Sequence, residues 1–322
     1  MFPAFAAMDG VCSKTMCKGF VRSLTLPALA ASCAATASIP GLVSAQPTEG
    51  TTTFVELRAF PIPQGLDLAG VVGSTDGRIA AWTDEDVFVV TDDGRLDRLA
   101  GIFRRPLAVG AVGPGWEVVD VGQNTIARFN LTHGEPVITP LLLPGRAYAA
   151  ARMSCAWVFQ LWDPLAGKGS LVLAGESGNV IKSWDIPWAK KDGRSLGQIL
   201  QLVGAGDQVT ATALGYPFAT ALVHCSGTVE MFDPGPALPR SGNWIALGTV
   251  QIPGGYVTTY SDITSDRRVL RRWDSRRRFM KDISLDVPFA FAAPLHAESV
   301  LAVRRTDRVE IVVYAVKAVP ES

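Results

Sequence analysis

Outside its first 45 residues the chain offers few side chains able to do chemistry: three histidines, His133, His224 and His296, and two cysteines, Cys155 and Cys225. No two histidines stand at zinc-ligand spacing, and His224-Cys225, the one adjacent pair, reads as a strand residue beside a small buried thiol. No G-x-S-x-G elbow, P-loop or H-E-x-x-H run occurs, so nucleophilic hydrolysis and zincin chemistry lack their usual equipment. Asp67, Asp120, Glu176 and Asp262 could share a divalent cation only if a fold gathered them from across the chain. Taken singly, each reads as a turn residue whose oxygens bond nearby backbone. The densest charge is a run of seven arginines within the twelve residues 267–278. Of these, Arg271, Arg272, Arg276, Arg277 and Arg278 form the candidate patch for an anionic partner, because guanidinium forks suit carboxylates and phosphates. The competing reading is a solvated sheet edge with alternate residues pointing outward.

Whatever positions these residues is built from strands. Hydrophobic residues make up 48% of the 322 and charged residues 19%, which is enough apolar surface for a packed core. Thirty-one glycines and 21 prolines leave few stretches with a helical apolar period. Thirty basic and 30 acidic residues cancel, so no whole-chain field exists to gather nucleic acid or an anionic membrane.

A faint pattern recurs: aliphatic, two variable positions, aromatic, then Asp or Asn. It appears as Ile126 to Asn130, Ile181 to Asp185, Val229 to Asp233 and Leu270 to Asp274, with looser copies at Val87 to Thr91 and Ile311 to Ala315. The mean interval of roughly 45 residues lies between the periods of known propeller blades. Six units predict six sheets, each with a strand whose aromatic wedges against the next sheet, followed by a turn into an outer strand such as Arg95 to Leu99 or Arg276 to Asp282. Ahead of the repeated strand come runs of small apolar residues at Ala69 to Gly73, Leu107 to Ala111, Ala147 to Ala151 and Phe289 to Ala293. These suit strands that converge on a narrow channel. Thr52 to Phe60 is an extra strand, expected to pair with the last unit and close the ring. Trp188 to Gly204 reads as a loop with a short helix or as an outer strand, and the registers of the third and fourth units stay open.

This organisation resembles the six-bladed β-propellers of the NHL and TolB-like kind, over roughly residues 52–317. The resemblance implies an all-β six-bladed β-propeller that binds proteins or other ligands. It also keeps open a lactonase-like alternative, a metal-dependent hydrolase or lyase with calcium or another divalent cation in the central channel.

The first 45 residues are ordered like a secretory signal: Lys14, Lys18 and Arg22, an uncharged run from Ser23, and a close on Val43-Ser44-Ala45 before Gln46. Cleavage between Ala45 and Gln46 is expected, with Met16 as an alternative start, 46–51 as a linker and 318–322 as a tail. Lipidation at Cys33 and an uncleaved anchor are the rival readings, and only those would attach the chain to a membrane. Cleavage removes Cys12, Cys17 and Cys33. Only Cys155 and Cys225 remain, too few for a disulfide framework, so the core is expected to hold the fold; the two could pair in an oxidising compartment, but across 70 residues the sequence does not show whether their Cβ atoms meet. The expectation is an exported, periplasmic or extracellular propeller without catalysis or cofactor, holding a protein, peptide or glycan on one face.

Overall fold

β-branched and aromatic runs such as Val87-Phe88-Val89-Val90 alternate with tight turns, and the chain folds into antiparallel four-stranded sheets. The computed structural model describes residues 52–318 apart from 100–102, 131–134, 164–167, 186–189, 192–193, 196–199, 216–217, 240–241, 266, 286–288 and 297. Ala45, Gln46, Cys33, Met16 and the 46–51 linker therefore lie outside the described residues.

Six such sheets make a six-bladed β-propeller. Blades 1 to 5 occupy 70–98, 106–140, 146–185, 200–231 and 244–285, each running from its innermost to its outermost strand in chain order. Blade 6 takes three strands from 289–318, and its outermost strand is Thr52–Pro61. The closing pairs run antiparallel from Thr52 opposite Ala318 to Pro61 opposite Glu310, with a bulge between Glu56 and Arg58. Arg304 locks the closure by bridging Glu56 at 2.6 Å and Glu310 at 2.7 Å.

The core is distributed between blades. Leu171, Val158 and Ala151 of blade 3 pack on Val209, Ala211 and Val223 of blade 4, and blades 5 and 6 meet through Leu270, Val257, Phe291 and Val300. Blades 4 and 5 add hydroxyls to their seam: Thr212 and Thr249 lie 2.6 Å apart, and Thr249 meets Thr258 at 2.5 Å.

The innermost strands are Gly70–Gly73, Pro106–Val112, Arg146–Arg152, Leu200–Ala205, Trp244–Ile252 and Phe289–His296. The four small-residue runs read from the sequence all fall on them. Crowding explains the composition: a Cβ on Gly204 would stand 2.1 Å from the Arg152 carbonyl oxygen of the neighbouring blade. Gly204→Ala is expected to cost about 1–3 kcal/mol, as overpacking does. It should lower the calorimetric melting temperature by several degrees, and an unchanged midpoint would show that these strands part freely.

Two expectations are corrected. The motif copies at 181 and 229 lie on the outermost strands of blades 3 and 4, where Lys168–Ala174 and Thr220–His224 are the third strands. Tight turns at 175–179 and 224–228 precede the aromatic residue there instead of following it. In the 188–204 segment, Leu200 begins the innermost strand of blade 4. Lys190–Lys191 pairs with Arg194–Ser195 as a small hairpin, and no helix occurs among the described residues.

Candidate ligand site at the channel mouth

Each innermost strand turns into its blade's second strand on the same face of the ring. Around the axis, the ends of these strands enclose a cavity of about 710 Å³, within the roughly 300–1,000 Å³ range of ordinary ligand pockets. Its wall is small and apolar along the strands, with Arg152, Ser154, Asp207, Gln208 and Gln251 bringing polar groups from blades 3, 4 and 5.

On the side of blades 4 and 5, the buried Tyr256 hydroxyl donates to Gln208 Oε1 at 3.4 Å, and Gln208 Nε2 donates to Gln251 Oε1 at 3.0 Å. Burial raises the Tyr256 pKa, which keeps the hydroxyl a donor throughout the physiological range. The relay ends on an amide at the cavity wall. Farther out on the same seam, Glu230 accepts from His224 Nε2 at 3.1 Å and Arg277 Nη1 at 3.0 Å.

The seam between blades 2 and 3 holds a buried charge cluster. Glu117, inside the wholly buried strand Gly115–Asp120, accepts from Arg152 Nε at 2.8 Å, the Trp157 indole at 2.9 Å, and Arg128 through Nε at 2.8 Å and through Nη2. Glu176, on the outer hairpin of blade 3, stands 3.5 Å from both Arg128 and Arg152.

The four carboxylates singled out in the sequence are not gathered. Asp120 and Asp262 end second strands on the opposite face and serve local backbone there. Asp120 accepts from the amides of Arg104, Arg105 and Gly122 at 2.8–3.0 Å. At Asp262, burial pushes the pKa upward, but hydrogen bonds from Thr264, Ser265 and Arg267 outweigh it and hold the carboxyl well below the usual range. Asp67 pairs with Arg305 at 3.8 Å. Among the described residues no three His, Cys, Asp or Glu side chains converge on one point.

The arginine run does not form one surface. Arg271 is buried between the rings of Tyr260 and Phe279, holds Asp282 through two 2.8 Å bonds, and donates to the carbonyls of Pro234 and Pro236. Arg272 is buried on the other face of the same strand. Both sit on the third strand of a blade packed on each side, so alternation sends them into two different seams rather than to solvent. Arg277 meets Glu230 and Arg278 meets Asp274, while Arg276 is exposed.

Cys225 is joined to Cys155 across 70 residues, with Cα atoms 6.0 Å apart. The bond ties the first hairpin of blade 3 to the outer hairpin of blade 4, and Ser154 N also donates to the Gly206 carbonyl in the first hairpin of blade 4 at 2.7 Å. The core thus has a covalent staple that spacing alone did not reveal.

No family model matches the chain, and no curated protein matches it at a significant level. Among solved structures it is similar to a streptogramin B lyase, at 15% identity and a TM-score of 0.50 over 84% of this chain and 88% of that one. It is similar to a catalytically inactive histidine-to-alanine variant of virginiamycin B lyase from Staphylococcus aureus with quinupristin, at 13% identity and 0.50 over 79% and 82%. A putative exported protein from Bacteroides fragilis aligns at 10% identity and 0.52 over 84% and 95%. At these identities the likeness shows the propeller fold alone.

Proposed function

We propose that this chain is an exported, noncatalytic binding propeller of the NHL or TolB-like kind, and that its ligand enters the cavity at the channel mouth. The observation that carries the reading is the meeting of all six innermost strands around one open cavity whose wall carries the Tyr256–Gln208–Gln251 relay. Apolar walls with a few convergent polar groups are how binding sites fix orientation. A calcium ion takes six to eight oxygens, whereas Asp207 is the one carboxylate lining this cavity among the described residues. Export is supported by the Cys155–Cys225 bond, since such bonds persist in oxidising compartments. Likeness to a putative exported protein points the same way.

Immobilised protein spanning 46–322 should capture a ligand from an envelope extract or from peptide and glycan arrays. Gln251→Trp, which fills the mouth, is expected to reduce capture at least tenfold, whereas Glu85→Arg on the opposite face leaves it unchanged. The reverse pattern, or turnover in a substrate screen, would overturn the reading.

A further inference from the structure

Arg152 lines the cavity at the end of the innermost strand of blade 3, and its guanidinium lies in the seam against blade 2. Nε is held by Glu117 and Nη1 by the Met153 carbonyl. Nη2 is buried and makes no hydrogen bond among the described residues. Its neighbouring carboxylate is Glu176 at 3.5 Å, beyond the roughly 2.7–2.9 Å of a charge-assisted bond. Arg128 faces the same carboxylate from a more exposed position: Glu117 holds both its Nε and its Nη2, and that Nη2 also stands 3.5 Å from Glu176. The side chain of Glu176 is 57% exposed, while that of Arg152 is 3% exposed. Two guanidinium groups therefore share one buried, fully engaged carboxylate and face a second that is loosely placed and reached from solvent.

Resting on the reading of the cavity as a ligand site, we propose that Arg128 and Arg152 form a carboxylate subsite at its edge, that Glu176 is the displaceable resident of that subsite, and that the ligand is an acidic peptide. A carboxylate closing to hydrogen-bond distance satisfies the buried Nη2 that Glu176 leaves unbonded. Charge selects the group. Two arginines face Glu117 and Glu176, so a single negative charge replacing Glu176 keeps the seam neutral, whereas a phosphate dianion overshoots. The amide relay selects the carrier, because Gln251 and Gln208 can pair with a peptide unit as donor and acceptor.

The test uses fluorescence anisotropy with a labelled nonapeptide repeating Ala-Glu-Gly, its Ala-Gln-Gly counterpart, and galacturonate or inorganic phosphate as competitors. The proteins are the native chain, Glu176→Gln and Arg128→Gln, with melting curves confirming that each is folded. The native chain is expected to bind the glutamate peptide at least tenfold tighter than the glutamine peptide. Glu176→Gln should raise affinity for the glutamate peptide about fivefold without changing the other, and Arg128→Gln should abolish the discrimination. Equal binding of both peptides by the native chain, or no gain in Glu176→Gln, overturns the subsite while leaving the cavity reading standing. Galacturonate binding in place of peptide overturns the peptide assignment, and phosphate outcompeting both overturns the carboxylate. Loss of all capture at the mouth strikes the cavity reading itself.

Discussion

Replacing Cys155 and Cys225 together by serine should remove about 4 kcal/mol of stability. The bond closes a 70-residue loop, and the chain-entropy relation for a loop of that length gives ~4 kcal/mol at 25 °C. The loop contains most of blade 3, the segment around the small 190–195 hairpin and three strands of blade 4. The bond therefore holds the part of the ring where blade spacing is least regular. Chemical denaturation with and without reductant checks this. Because Cys155 is exposed, reductant should bring the native chain to the midpoint of the double variant. Coincident midpoints for oxidised native and variant protein would show that noncovalent contacts alone hold blades 3 and 4 together.

Glu117→Ala should have an effect of similar size by a different route. It withdraws the acceptor shared by Arg152, Arg128 and the Trp157 indole, and leaves the Arg152 guanidinium buried without its main counterion. Removing one partner from a buried pair costs about 3–5 kcal/mol. The charge itself, rather than lost volume, is responsible, so the double variant Glu117→Met with Arg152→Leu should recover much of the loss. Urea midpoints of the two variants test this. A double variant no better than Glu117→Ala would mean that packing, not the unpaired charge, sets the cost.

The features legible in the sequence were those with a local cause. The closing strand was readable because residues 52–60 had strand character and no hairpin partner nearby, and pairing with the last blade was the remaining way to cover an edge. Four of the six innermost strands were readable because crowding at the axis favours runs of small residues, as the close approach at Gly204 shows. The aromatic motif placed the third strand in four blades but misplaced it in blades 3 and 4, since what repeats there is the tight turn and not the aromatic. Gly94, Gly178 and Gly227 take φ of 74–84° at the same point of the outer hairpin, and Arg277 takes 63° in blade 5. Aligning those turns gives the register that the aromatic pattern lost.

Of the candidate site, less was visible. Glu117 had a signal, an acid set among Trp116, Val118 and Val119 in mid-strand, with Arg128 and Arg152 on strands otherwise rich in apolar residues. Which of them met depended on which blades were neighbours. Gln208 and Gln251 carried none, being single amides 43 residues apart that become partners only across a seam. The arginine run drew the eye because it is dense in sequence, yet strand alternation and a turn send its members to separate places.

Pairing Thr52 with Ala318 also sets an order of events. The strand that completes blade 6 emerges from the ribosome first among the described residues and its partner emerges last, so five blades can form on a growing chain while the sixth waits. Until then the partly made protein exposes the apolar outer faces of its first and last finished blades and a closing strand without its partner, the condition in which chains aggregate or exchange strands.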